Sequence, residues 1–232
     1  MKRLFRKIFI MVISIFIITG IINFPLFAQE QAEMVGQEDE QVEESVVELT
    51  ADQVNYDKEN DQMVFIGDVV IIQEDTTLTS AQASFNVDTK VGKITDSVKL
   101  VKEDITINGE TLEAFLNDKR YIFENQVELI QEREDSAGEP DNVKWLCQKL
   151  EIFTDTKNMT ATGEVMITKK DYTITAQEAI YNDAEDKISL TGQVKIEEVE
   201  NDREISGDNA VFYIDDDKLE VTGNVRSRII LD

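Results

Sequence analysis

The chain has 232 residues, 23 Lys and Arg against 48 Asp and Glu, a net charge of −25, one cysteine and no histidine. Without histidine there is no Ser-His-Asp or Cys-His catalytic set, and a lone Cys147 forms no internal disulfide and no thiolate zinc cluster. So acidic a surface does not suit the phosphate backbone of a nucleic acid, whereas 41% hydrophobic residues suffice for a packed core.

The first segment reads as an export signal. Lys2, Arg3, Arg6 and Lys7 precede a mostly apolar run from Ile8 to Ile22, and Asn23-Phe24-Pro25-Leu26-Phe27-Ala28 follows. A basic start, an apolar run short of the ~20 residues a membrane span needs, and a small residue at a break mark a cleavable signal, residues 1–28. An uncleaved anchor is the alternative, and both readings export the chain. No cysteine lies near the site, so a lipoprotein signal is not expected. Residues 29–47 are acidic, Gln-rich and aperiodic, the pattern of a solvated linker.

From Leu49 onward the chain repeats. A Val follows a Gly or turn-like residue by two positions six times, at Val69, Val98, Val127, Val165, Val194 and Val225, with spacings of 29, 29, 38, 29 and 31. Twenty residues before each Val stands a large apolar residue: Leu49, Leu78, Ile107, Trp145, Ile174 or Ile205. Two residues later comes a small one: Ala51, Ser80, Gly109, Cys147, Ala176 or Gly207. Thirteen residues before each Val lie Tyr56, Phe85, Ala114, Ile152, Tyr181 and Phe212, so the third unit lacks a large residue in this column.

Within one unit, Leu49 to Tyr56 alternates apolar and polar residues at both ends, which predicts a half-buried strand. Asp57 to Asp61 is turn chemistry, and Met63 to Ile72 predicts a second strand. Each unit is therefore a β-hairpin, and six hairpins make a meander of about twelve strands. The period of two breaks between Ala51 and Val54, and again at the Gly before each Val; both breaks predict a bulge or corner. If every strand bends there, the meander folds over into an elongated, V-shaped antiparallel sandwich. A right-handed β-solenoid is the competing geometry. Units one to three occupy 48–130 and units four to six 142–232. The segment 131–141, with Ser136-Ala137-Gly138-Glu139-Pro140, is an inserted surface loop.

Two columns are expected inside. One is the Val series itself. The other, four residues earlier, is Phe65, Ile94, Phe123, Ala161, Leu190 and Val221. An apolar groove and a dry core share this pattern. At the two ends the first strand, with Leu49, Val54 and Tyr56, and the last, with Ile229, Ile230 and Leu231, leave unpaired backbone groups. Strand addition there predicts head-to-tail self-association into open filaments. Asp183/Glu185/Asp186 and Asp215-Asp216-Asp217 carry the oxygen donors that calcium takes, but both sit at predicted turns, where Asp is expected anyway. No catalytic residue, metal site or cofactor is expected.

The unit L-T-A-x-x-x-x-Y, turn, G-D-V-x-I, T-L-T-S-x-x-A at Leu49–Ala83 resembles the OstA/LptA-like family of periplasmic lipopolysaccharide-transport proteins. Ile174-Thr175-Ala176 to Tyr181 with Gly192-Gln193-Val194-Lys195-Ile196 repeats the pattern, as does Ile205 to Val225. The resemblance covers about residues 48–232. It implies a folded-over β-jelly roll in the periplasm and no enzyme activity. It also implies that the interior columns grip the acyl chains of lipopolysaccharide or a lipid A-type glycolipid. Partners would be an inner-membrane export complex and an outer-membrane barrel protein, with this chain as the soluble bridge or its membrane-tethered partner. A structural or adhesive exported β-repeat with a dry core is the alternative.

Overall fold

The structure, a computed structural model, describes residues 47–134, 138–170, 172–198, 203–213 and 218–228. The signal segment, the linker to residue 46, Asp215 to Asp217 and Ile229 to Asp232 lie outside the described residues. Among the described residues there are fourteen strands and no helix. They are β1 (Val47–Thr50), β2 (Gln53–Asp57), β3 (Gln62–Gln73), β4 (Thr76–Asn86), β5 (Val91–Lys102), β6 (Ile105–Phe115) and β7 (Arg120–Gln131). Then come β8 (Val143–Phe153), β9 (Asn158–Lys169), β10 (Tyr172–Asn182), β11 (Lys187–Glu198), β12 (Arg203–Tyr213), β13 (Lys218–Thr222) and β14 (Arg226–Arg228).

All fourteen form one sheet in sequence order. β1 and β2 pair with the two halves of β3, β3 to β12 pair successively, and β13 and β14 pair with the two halves of β12. β1 with β2, and β13 with β14, are thus single strands broken mid-length, which gives twelve strand positions. Every pairing is antiparallel, which excludes the solenoid.

Each break lies where the period of two failed. Register shifts fall between Ile66 and Val69, Thr95 and Val98, Glu124 and Val127, and Thr191 and Val194. Two consecutive residues take a left-handed backbone at each corner; at Gly192-Gln193 the φ values are 81° and 53°. A Cβ on Gly192 would stand 2.7 Å from the Gln177 Cβ, so Gly fits both the dihedral and the space. The second and third units have no Gly there. Asp96-Ser97 (φ 66° and 65°) and Asn125-Gln126 (φ 65° and 52°) make the same corner with Asp or Asn in place of the Gly, the two side chains that best tolerate this region. Side-chain bonds brace the outside of the bend: Gln126 Nε2 donates to Glu110 Oε1 at 3.2 Å, and Asn224 Nδ2 to Asp208 Oδ2 at 2.9 Å.

The corners divide the sheet into two arms. The first holds β2, β13, residues 62–66 and 82–86 and their equivalents; the second holds β1, β14, residues 69–73 and 76–80 and theirs. Apolar residues of both arms join one core: Phe123 and Leu150 from the first, Ile107 and Val127 from the second. No described helix is available to cover this face. The sheet covers itself by folding along the corners, and the core fills the V between its arms. Burial of such a side chain contributes ~1.5–3 kcal/mol.

Candidate functional site

The interior is not uniform along its length. In the middle units it is filled. Trp145, Tyr121, Tyr181, Phe123 and Leu150 are each at most 2% exposed. The Val column is buried at Val69, Val98, Val127, Val165 and Val194, and the column four residues earlier is buried at Phe65, Ile94, Phe123, Ala161 and Leu190. Val221 is half-buried against the core. Val225 departs from the expected column. It lies in the break between β13 and β14 and is 51% exposed, because no further described strand closes the corner on its outer side.

At the N-terminal end the two arms do not meet. A cavity of about 130 Å³ lies between them, bordered by Leu49, Ile71, Leu78 and Leu100 of the second arm and by Phe65, Phe85, Ile94 and Leu112 of the first. Of the residues around it, only Gln73, Thr76, Ser84 and Tyr121 carry polar side-chain atoms, and none is charged. Its border runs from β1 to β7, six neighbouring strands, so the space is a slot roughly 20 Å long at ~4.8 Å per strand. Burial raises the Tyr121 hydroxyl well above the ordinary tyrosine range, so it stays protonated there.

The rim of the second arm is polar. Four residues past the Val of units one to four stand Gln73, Lys102, Gln131 and Lys169, all buried. Carboxylates of the turns and of the inserted loop meet three of them. Lys169 Nζ lies 2.9 Å from Asp141 Oδ2, Lys102 Nζ lies 3.4 Å from Asp75 Oδ1, and Gln131 Nε2 donates to Asp104 Oδ2 at 3.1 Å. The lysine stems are buried while their heads end at carboxylates. The signal was in the sequence as a polar residue at a fixed offset, but polar residues at strand ends read as solvated until the fold closes over them.

The end strands are open on one side. β1 and β2 pair only with β3, and β13 and β14 only with β12, so among the described strands their outer edges carry no partner. Leu49 is half-buried against the core, whereas Val54 and Tyr56 are about half exposed. Ile229, Ile230 and Leu231 lie outside the described residues. Among the described residues no group of three or more acids and cysteines is placed to hold a metal. Asp183 is engaged instead by the Tyr181 hydroxyl, which donates to its Oδ1 at 3.1 Å. Cys147 is buried in the small-residue column, and burial pushes its thiol up to about 12. The thiol is therefore held protonated.

No curated protein matches the chain. Among solved structures, LptH from Pseudomonas aeruginosa, described as the LptA homologous periplasmic component of the lipopolysaccharide transport device, is similar at 13% identity. The match covers 80% of this chain and 96% of that one, with a TM-score of 0.23, too loose a superposition to carry an argument. A family model for OstA-like proteins matches residues 30–110. A second, described as LptA/(LptD N-terminal domain) LPS transport protein, matches residues 79–218. That second match spans well over half of the chain, and on it the chain belongs to the LptA and LptD N-terminal-domain family of LPS transport proteins.

Proposed function

We propose that this chain is a periplasmic carrier that bridges the inner and outer membranes and shields lipopolysaccharide acyl chains between its two arms. The observation that carries this reading is the slot at the N-terminal end. It is long, narrow, uncharged and continuous with the core column. Acyl chains lying in it leave water, which contributes ~0.8 kcal/mol per buried methylene. With a net charge of −25, attraction to phosphates cannot hold the glycolipid. Its sugars stay in solvent at the rim, or are bridged by divalent cations, and grip comes from the chains. The filled middle means that the arms part to let a chain pass, and the left-handed corners are the hinge line about which they do so. Export by residues 1–28 brings the chain to the periplasm. Its open edge strands would join an inner-membrane export complex at one end and an outer-membrane barrel at the other, with further copies between.

Photo-crosslinking tests the reading. A crosslinking residue at Leu78 or Leu100, which border the slot, captures lipid A, and one at Ile72, 40% exposed, does not. Capture absent at Leu78 and Leu100 refutes it. The dry middle units favour the second reading, a structural β-repeat, which predicts no capture at any interior position.

A further inference from the structure

One row of the fold explains why the slot exists where it does. At a single depth in the first arm the register aligns twelve positions of the inward face, one on each strand position from β2 to β13, of which the end one, Tyr56, is half exposed. Ten of them carry Met, Ile, Leu, Phe or Tyr, and two do not: Gly92 on β5 and Ala114 on β6. These two are register partners, side by side in the sheet. Both border the slot, between Phe85 on one flank and Tyr121 on the other.

The backbone does not ask for a Gly at position 92. Its φ is not in the left-handed region. A Cβ there would meet the Ala114 Cβ at 3.7 Å, Phe85 Cδ2 at 3.8 Å and Ile94 Cδ1 at 3.9 Å, all ordinary contacts. What Gly92 and Ala114 supply is empty apolar space. An unfilled space in a core forfeits packing. A chain that fills ten of twelve places and leaves two adjacent ones open recovers that packing only when something occupies them.

We propose that the Gly92–Ala114 gap is the end pocket for a single unbranched acyl chain, and that it determines where on the fold the chain is taken and how far it reaches. This rests on the carrier reading above. The gap is two strands wide, and its surroundings hold no charged side chain and few polar atoms to meet a sugar. The slot to which it belongs holds about 130 Å³ in all, close to the ~150 Å³ apolar cavity that stays dry and takes a benzene. That is room for the terminal methylenes of one chain. Tyr121, 2% exposed and beside Ala114, is the wall at which the chain stops.

The repeat supplies the test variants. Met stands at the position of Gly92 in the first and fourth units (Met63, Met159), and Ile at the position of Ala114 in the fourth (Ile152), so the fold accepts both side chains there. Full-length wild type, Gly92→Met and Ala114→Ile are titrated with lipid A in detergent micelles and, separately, with free tetradecanoate. Both variants are expected to unfold at or above the wild-type temperature and to bind lipid A about tenfold or more weakly. Gly92→Ala, which adds only the methyl measured above, is expected to lose less in the same direction. Variants that are folded and bind lipid A like wild type overturn the placement and leave the carrier reading standing. Loss confined to tetradecanoate makes the gap a free fatty-acid site and overturns its role in glycolipid transport. Failure of the wild type to bind lipid A overturns the carrier reading itself.

Discussion

Replacing Gly192 by Ala tests the corner that folds the sheet. Gly192 has φ 81°, and an added Cβ would stand 2.6 Å from Gln177 Oε1 and 2.7 Å from its Cβ. The amide can swing aside, but the Cβ of Gln177 is fixed to its strand. A left-handed non-Gly residue costs ~1–2 kcal/mol, and an unrelieved contact adds ~1–3 kcal/mol. The reduced freedom of the unfolded chain returns ~0.4–1 kcal/mol. The expected net loss is about 1–4.5 kcal/mol, centred near 3. Gly192→Asn is expected to lose less, since Asn125 occupies the same corner of the third unit at φ 65°. Trp145 is the chain's one tryptophan and is fully buried in β8, so urea unfolding followed by its fluorescence reads the shift. An Ala variant within about 0.5 kcal/mol of wild type, the range of an ordinary surface change, refutes the corner account.

Val165→Asp and Leu190→Asp place a charge where each wild-type side chain is 1% exposed, and both should lose several kcal/mol of stability together with lipid retention; unchanged melting and unchanged retention would put these columns in water. Cys147 should react slowly with a thiol reagent until denaturant is added, and fast native labelling contradicts its burial. Its raised pKa, with those of Tyr121 and Tyr181, means that the folded state holds protons the unfolded state releases. That stability is complete below pH ~9 and is lost as pH climbs toward about 12, which alkaline titration of the melting temperature checks. Deleting Arg226–Asp232 removes β14 and should abolish concentration-dependent self-association while β3 to β11 stay folded; the same oligomers in analytical ultracentrifugation would sink edge pairing.

The hairpins, their phase and the corners were legible because each leaves a mark within about thirty residues. The corner was legible even at Asp96 and Asn125, where the Gly is missing but the backbone is not. The slot was harder. Ala114 stands out as a gap in its column, yet nothing in the sequence says that Gly92 lies beside it. Twenty-two residues separate the two, and only the register of β5 against β6 makes them one space. Val225 fits its column in sequence and leaves it in space, since burial there needs a strand on the far side. Lys102 and Lys169 belong to no apolar pattern, and their burial follows from carboxylates that the fold brings to the rim.

The sequential order of the sheet governs how the molecule assembles. Each of the twelve strand positions pairs only with the positions next to it in the chain, and backbone contacts between elements run along that one path. No pairing waits for a distant segment to return, so the entropy of loop closure is that of a hairpin at every step. For an all-β protein this is a low contact order, and folding can start at any hairpin and spread both ways. Opening runs in reverse, from the ends. Amide hydrogens of β1, β2, β13 and β14, with a partner on one side only, should exchange first, and those of β7 to β9, flanked by complete strands and the largest buried side chains, should exchange last.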